Sequence, residues 1–205
     1  MKGGMISMKI IGVTGPTGAG KSLLCKELSK KIPVIDADEV YHSLLIPPSD
    51  CLVAIRQAFG DHVFTLDGTL DRAALSAIVF ADEKKLALLN RTVLEFVLKK
   101  IRTMIDTLKS DGASAVLLDA PTLIESGFHR ECDAVISVLA SPELRLSRII
   151  TRDDLSEEKA SSRISAQKDD DFYRQHSDLV LINDGSIAPL VLRCTEFLST
   201  LGVAL

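Results

Sequence analysis

The segment Gly15-Pro16-Thr17-Gly18-Ala19-Gly20-Lys21-Ser22 constrains this chain more than any other, because it satisfies G-x-x-x-x-G-K-[ST] between two segments of different period. Met8 to Thr14 before it is an apolar run of strand length, and Leu23 to Lys31 after it has helical spacing. A glycine-rich turn from a buried strand into a helix brings backbone amides together at the helix N-terminus, where the dipole favours an anion. The glycines let the backbone wrap closely round a polyphosphate. Lys21 would reach the terminal phosphates, and the Ser22 hydroxyl would ligate Mg²⁺. The plainer alternative is a glycine-rich turn that merely opens a helix. The full motif in this setting favours a nucleoside triphosphate site at Gly15, Gly18, Ala19, Gly20, Lys21, Ser22 and Leu23.

Further apolar runs, two of them ending in Asp, extend the pattern. Pro33-Val34-Ile35-Asp36, Ala115 to Asp119, Ala134 to Leu139 and Leu179 to Ile182 read as strands. Helical spacing appears from Ala37 to the Pro47-Pro48 break, from a Ser49 cap to Phe59, from an Asp71 cap to Phe80, and from Asp82 to Lys109. Ser141-Pro142-Glu143 and Ser156-Glu157-Glu158 open two later helices, and Ala188 to Leu201 closes the chain. Strands alternating with helices predict an α/β doubly wound parallel sheet. The helical stretch of residues 37–112 is too long for one crossover and predicts an insertion, a natural place for a second substrate.

Several groups could carry chemistry beside the loop. Asp36 and Asp38 end the second strand, at the sheet edge that faces the ligand crevice in an open parallel sheet. Phosphoryl transfer to an alcohol needs a base beside the attacking hydroxyl and a cation to balance charge. Asp-x-Asp is also a common helix cap. His42 follows Asp38 by four residues and shares its helical face. Asp119 ends the third apolar run as a Walker-B-type carboxylate does, which suits it to Mg²⁺ or to positioning an acceptor. Arg145, Arg148, Arg152, Arg163 and Lys168 form a cationic series, with Arg148 and Arg152 on one helix face. Arginines late in a nucleotide kinase suggest a lid that closes over the phosphates.

Charge and cysteine usage narrow the partners. A formal net charge of −4 argues against broad binding to nucleic acid or anionic membrane. No apolar run approaches the roughly 20 residues that span a bilayer. Met1 to Ser7 do not resemble a signal peptide and read as an alternative start or a tag remnant. Cys25, Cys51, Cys132 and Cys194 are scattered, which suits a reducing cytoplasm. Cys25 reads as a small core residue.

On these residues alone, a kinase for a nucleotide or metabolite alcohol and a GTP-dependent switch both stay open. The switch lacks D-x-x-G, and Gln167-Lys168-Asp169-Asp170 only approximates N-K-x-D.

From Ile10 to about Ser186 the chain resembles the dephospho-CoA kinases. The resemblance rests on the phosphate loop, on Val34-Ile35-Asp36-Ala37-Asp38 with His42, and on Asp67-Gly68-Thr69-Leu70-Asp71-Arg72 with Leu75. It continues through Val79 to Asp82, Leu118 to Pro121, Ile124 to Gly127, Arg148 to Ser156, Arg163-Ile164, Gln167, Ser177-Asp178 and Asn183-Asp184-Gly185. It implies transfer of the ATP γ-phosphate, with Mg²⁺, to the ribose 3′-hydroxyl of dephospho-CoA. It also implies a P-loop NTPase three-layer α/β/α fold with a helical substrate-binding insertion and a helical lid. The core would comprise residues 8–36, 113–147 and 178–205, the CoA-binding insertion 37–112, and the lid 148–177.

By the same resemblance Asp38 matches the base, Lys21, Arg148 and Arg152 act at the phosphates, and Asn183 belongs to the segment closing the adenine site. Asp36, His42, Arg72, Asp119 and Glu125 match the acceptor side. The expected protein is a cytoplasmic monomer or small homo-oligomer. The chain departs from the family pattern at Leu89-Asn90-Arg91, where His-Pro usually follows the leucine. It departs also at Ile124-Glu125, where an aromatic is usual, and at Leu23, where Thr is usual.

Overall fold

A computed structural model describes residues 8–204. The start or tag read in residues 1–7 lies outside the described residues. Five strands form one sheet: β1 (Lys9–Thr14), β2 (Val34–Asp36), β3 (Ala115–Asp119), β4 (Ala134–Leu139) and β5 (Leu179–Ile182), in the order β2-β3-β1-β4-β5. β1 runs parallel to both β3 and β4, with Ile10 opposite Val116 and Gly12 opposite Val135, and β4 runs parallel to β5. Every residue of β3 and β4 is buried. That is why these strands read as unbroken apolar runs: a parallel sheet is covered on both faces.

The described residues divide into two compact units, one made of the chain up to Ile35 together with the chain from Thr107 onward, the other Asp36–Asp106. In the first unit, α1 (Lys21–Leu28) and α9 (Ile187–Thr200) cover the sheet. Leu24, Cys25 and Leu28 of α1 join Leu190, Cys194 and Leu198, which recur at every fourth residue of α9, against Ile11, Val13, Leu117 and Ile136. Burying one such leucine contributes about 1.5–3 kcal/mol. Ile124, Leu139 and Tyr173 form a second, smaller cluster. The other helices of this unit are α6 (Pro142–Asp153), α7 (Glu157–Ser165) and α8 (Asp170–Gln175).

α1 starts and stops earlier than its periodicity predicts. Gly20 caps it with a left-handed φ of 99°, so the helix begins at Lys21. At the far end Ile32 precedes Pro33, which disfavours helical backbone. The chain leaves the helix after Leu28, and the amides of Lys31 and Ile32 both donate to the Leu28 carbonyl. α8 is six residues long and is not legible as a periodic segment; its N-cap, Asp169, accepts from the Phe172 amide at 2.9 Å.

The second unit contains α2 (Ala37–Leu44), α3 (Asp50–Phe59), α4 (Arg72–Phe80) and most of α5 (Glu83–Ser110). The predicted caps are in place: Ser49 accepts from the Cys51 amide at 3.2 Å, and Asp71 from Ala73 and Ala74 at 3.0 Å each. Between α3 and α4, Asp67 closes a tight turn by accepting from the Thr65 and Thr69 hydroxyls and the Thr69 amide. Phe64 and Leu70 bridge across that turn.

Candidate active site

β1 delivers the loop of residues 15–20 between its two parallel neighbours, so the loop emerges at the carboxyl edge of the sheet. Gly15 has φ 133°, and a Cβ there would lie 2.1 Å from the Val138 carbonyl oxygen on β4. Only glycine permits that turn. Gly20 is equally confined, because a Cβ would stand 2.2 Å from Asn183 Nδ2.

The carbonyls of this loop are held from outside. Arg145 Nε donates to the Thr17 carbonyl at 3.0 Å, Arg148 Nη1 to Gly18 at 3.2 Å, and Asn183 Nδ2 to Ala19 at 2.7 Å. Lys21 Nζ donates to the Gly15 carbonyl at 2.9 Å. In a trans peptide the C=O and the next N–H point in opposite directions. Pinning the Thr17 and Ala19 carbonyls therefore aims the Gly18 and Gly20 amides the other way, as an anion cradle requires. The charged donors Arg145 and Arg148 also polarise the peptides that follow Thr17 and Gly18 and strengthen their amides as donors.

Two buried charges lie beneath the loop. Lys21 is 8% exposed and Asp119, at the end of β3, is 4% exposed. Both act on the Cys25 thiol, whose pKa is driven well above the usual value by burial first and by Asp119 second, with Lys21 opposing. The ends of β1 and β3 are tied by the Ala120 amide on the Val13 carbonyl at 3.0 Å and the Thr14 hydroxyl on the Pro121 carbonyl at 3.2 Å. Ser22 sits exposed in the first turn of α1. One hydroxyl and one carboxylate fit Mg²⁺, which takes few protein oxygens and leaves the rest to phosphates and water. Among the described residues no group of three or more His, Cys, Asp or Glu could cage a metal.

The arginines divide by environment. Arg145 is 5% exposed, and burial pulls its pKa below the ordinary arginine value. Arg148 is half-buried and also donates to the Asn183 carbonyl at 3.0 Å. Arg152 is exposed; it pairs with Asp153 through Nε at 2.8 Å and Nη2 at 3.0 Å, and reaches the Thr17 hydroxyl at 3.5 Å. Arg163 of α7 joins the same Asp153 carboxylate. The boundary expected between residues 147 and 148 thus falls inside α6, and all three arginines ride on one helix.

Asn183 follows β5, with its amide on the Leu139 carbonyl at 2.7 Å. Asp184 accepts from the Ser141 amide and Asp178 from the Val135 amide, at 2.8 Å each, so these loop residues fasten β5 to β4. Glu125 is exposed and adds to burial in raising the Tyr173 hydroxyl to about 12. Leu23 is 48% exposed.

The remaining candidates belong to the second unit. Asp36 caps α2, accepting from the Asp38 amide at 2.8 Å and the Glu39 amide at 3.1 Å. Asp38 stands exposed in the first turn, and His42 is exposed one turn later, its ring 5.2 Å from that of Tyr41. Arg72 is exposed at the start of α4. Sequence reading did not find the role of Thr17. Its amide donates to Gln167 Oε1 at 2.9 Å, 150 residues away, and nothing local marks such a contact.

Comparison with known proteins agrees with the geometry. A family model described as dephospho-CoA kinase matches residues 9–189. A dephospho-CoA kinase of Shouchella clausii is 37% identical over 177 residues, which cover 86% of this chain and 90% of that protein. The crystal structure of TT1252 from Thermus thermophilus superposes with a TM-score of 0.78 at 30% identity, covering 95% of this chain and 98% of that one. A dephospho-CoA kinase structure from Campylobacter jejuni superposes with a TM-score of 0.68 at 25% identity, covering 94% and 96%.

Proposed function

From the premise that this chain belongs to the dephospho-CoA kinase family, we propose how its own residues share the work of phosphoryl transfer. The chain is an ATP-dependent phosphotransferase that moves the γ-phosphate of ATP to the ribose 3′-hydroxyl of dephospho-CoA. The products are CoA and ADP, in the last step of coenzyme A synthesis. The observation that carries the division of roles is the phosphate loop, whose Thr17, Gly18 and Ala19 carbonyls are held by Arg145, Arg148 and Asn183.

On the donor side, the amides of Gly15, Gly18, Ala19, Gly20, Lys21, Ser22 and Leu23 would cradle the triphosphate, and Asn183 would shape the adenine end. Lys21 would leave the Gly15 carbonyl for the terminal phosphates. Transfer passes through a loose transition state with charge spread over the phosphoryl oxygens, so positioned cations contribute most of the rate. Lys21, Arg148 and Arg152 are the cations for that task, with residues 148–177, which begin inside α6, acting as the lid. Ser22 and Asp119 would hold Mg²⁺, which when bound neutralises charge on the β- and γ-phosphate oxygens.

On the acceptor side, Asp38 would take the proton of the 3′-hydroxyl as it attacks. Asp36 would fix the backbone beneath it through the α2 cap, and His42, Arg72 and Glu125 would contact dephospho-CoA, with residues 37–112 as its binding lobe. The four free cysteines favour a reducing cytoplasm. The net charge of −4 favours a small-molecule partner over nucleic acid, with the chain acting as a monomer or small homo-oligomer.

A coupled ADP-release assay with dephospho-CoA, adenosine and AMP tests this reading. Turnover with dephospho-CoA is expected; turnover with AMP or adenosine and none with dephospho-CoA would sink it.

A further inference from the structure

We propose that Arg145 and Gln167 form a latch on the backbone of Thr17 that holds the phosphate loop in its nucleotide-ready shape, making Arg145 a positioning residue and not a phosphate ligand. The three groups close a ring. Arg145 Nε donates to the Thr17 carbonyl at 3.0 Å, Arg145 Nη2 to Gln167 Oε1 at 3.1 Å, and the Thr17 amide to the same Oε1 at 2.9 Å.

Both backbone polar groups of Thr17 are thereby occupied, and they belong to two successive peptides. Fixing the carbonyl of the peptide between Thr17 and Gly18 turns the Gly18 amide toward the anion side. Tying the Thr17 amide to Gln167 keeps it out of the cradle. A loop with four glycine-permitted or short-side-chain positions would otherwise pay an ordering cost each time a phosphate arrives.

Burying a guanidinium is expensive unless its donors are used. Here Arg145 is 5% exposed, its hydrogen-bond partners are a neutral carbonyl and a neutral carboxamide, and the Asp170 carboxylate supplies opposite charge nearby. A planar fork with two donors at fixed spacing meets both oxygens at once, which a lysine ammonium on a flexible stem cannot do. Gln167 lies between α7 and α8, so the latch also fastens that connection to the loop.

The inference rests on the nucleotide-binding reading of the loop. It is tested by calorimetric titration of ATP, without acceptor, into the wild-type chain, Arg145→Lys, Gln167→Ala and the double variant. Steady-state KM for each substrate and thermal melts accompany the titrations. Each single variant is expected to weaken ATP about tenfold, in line with losing a charge-assisted hydrogen bond, and to leave KM for dephospho-CoA within about twofold. The double variant is expected to be no weaker than either single one, because breaking the ring once releases Thr17.

Arg145→Lys binding ATP like the wild type would mean that charge alone matters and would overturn the latch. So would losses that multiply in the double variant, or a parallel rise in both KM values with a fallen melting temperature. Wild-type chain that fails to bind ATP would overturn the nucleotide reading itself, a separate result from variants that bind as well as the wild type.

Discussion

The side-chain amide of Asn183 donates to the backbone carbonyl of Ala19 across 2.7 Å in buried surroundings, joining the end of β5 to a loop 164 residues earlier. Replacing it leaves the Ala19 carbonyl without that donor and removes the wall against which Gly20 is packed. Asn183→Ala is expected to cost about 1–3 kcal/mol of stability and to raise KM for ATP several-fold. Asn183→Asp should weaken ATP further, since a carboxylate would face the Ala19 carbonyl and add negative charge beside the phosphate loop. Thermal melts and steady-state kinetics check this; an Asp variant with better ATP affinity than Ala would contradict it.

Lys21 is buried and bonded to the Gly15 carbonyl at 2.9 Å, so its ammonium is held at the loop. Lys21→Ala should lower kcat by roughly 10²–10³-fold or more, the loss typical of one preorganised transition-state donor. The effect should fall mainly on kcat, with a smaller change in KM for dephospho-CoA. A Lys21→Ala variant within tenfold of wild-type turnover would remove the lysine from the chemistry.

Asp36 and Asp38 look interchangeable in sequence but differ in what they touch. Asp36 spends its carboxylate on the Asp38 and Glu39 amides, whereas Asp38 stands exposed. Asp36→Ala should cost about 1 kcal/mol as a lost N-cap, and Asp36→Asn should restore most of it. Asp38→Asn should leave the melting temperature unchanged and ATP binding within about twofold, while lowering kcat by roughly 10²–10⁴-fold as a lost general base does. A fully active Asp38→Asn would exclude it as the base.

What the sequence discloses is what is local. The loop at 15–22, the buried strands and the caps Ser49, Asp71, Ser141 and Ser156 all rest on neighbours a few residues apart, and all are present. The grip on the loop was not legible, because Arg145 and Gln167 reach Thr17 from 128 and 150 residues away. Arg145 reads from sequence as one more cation in a surface series, yet it is the buried member. α8 escaped for another reason: at six residues it is too short for a 3.6-residue period to show.

All four cysteines are free, and none should behave as a reactive thiol. Burial drives the Cys25 and Cys51 thiols above their usual value, and raises Cys132 and Cys194 to about 12 each. The thiolate is the nucleophile, so at pH near 8 the native chain should react slowly with an aromatic disulfide reagent. After unfolding, all four should react. One fast-reacting thiol in the native chain would show that a cysteine is more open than its packing implies.

Asp153 makes stability depend on pH in a defined direction. Its carboxylate is held below the usual range first by the hydrogen bond from Arg152, then by the charges of Arg152 and Arg163. A depressed native pKa means that the unfolded chain binds the proton more tightly. The stabilisation is therefore complete above the unfolded value of about 4 and is lost as pH falls through the lower native value. Asp153→Asn should melt below the wild type at neutral pH, and the gap should close toward acid as the wild-type carboxylate protonates. Because Asp153 joins Arg152 of α6 to Arg163 of α7, the same variant should loosen α7 without unfolding the sheet, read as faster amide exchange confined to residues 157–165. A melting gap that stays constant down to acid would show that Asp153 acts through packing and not through its charge.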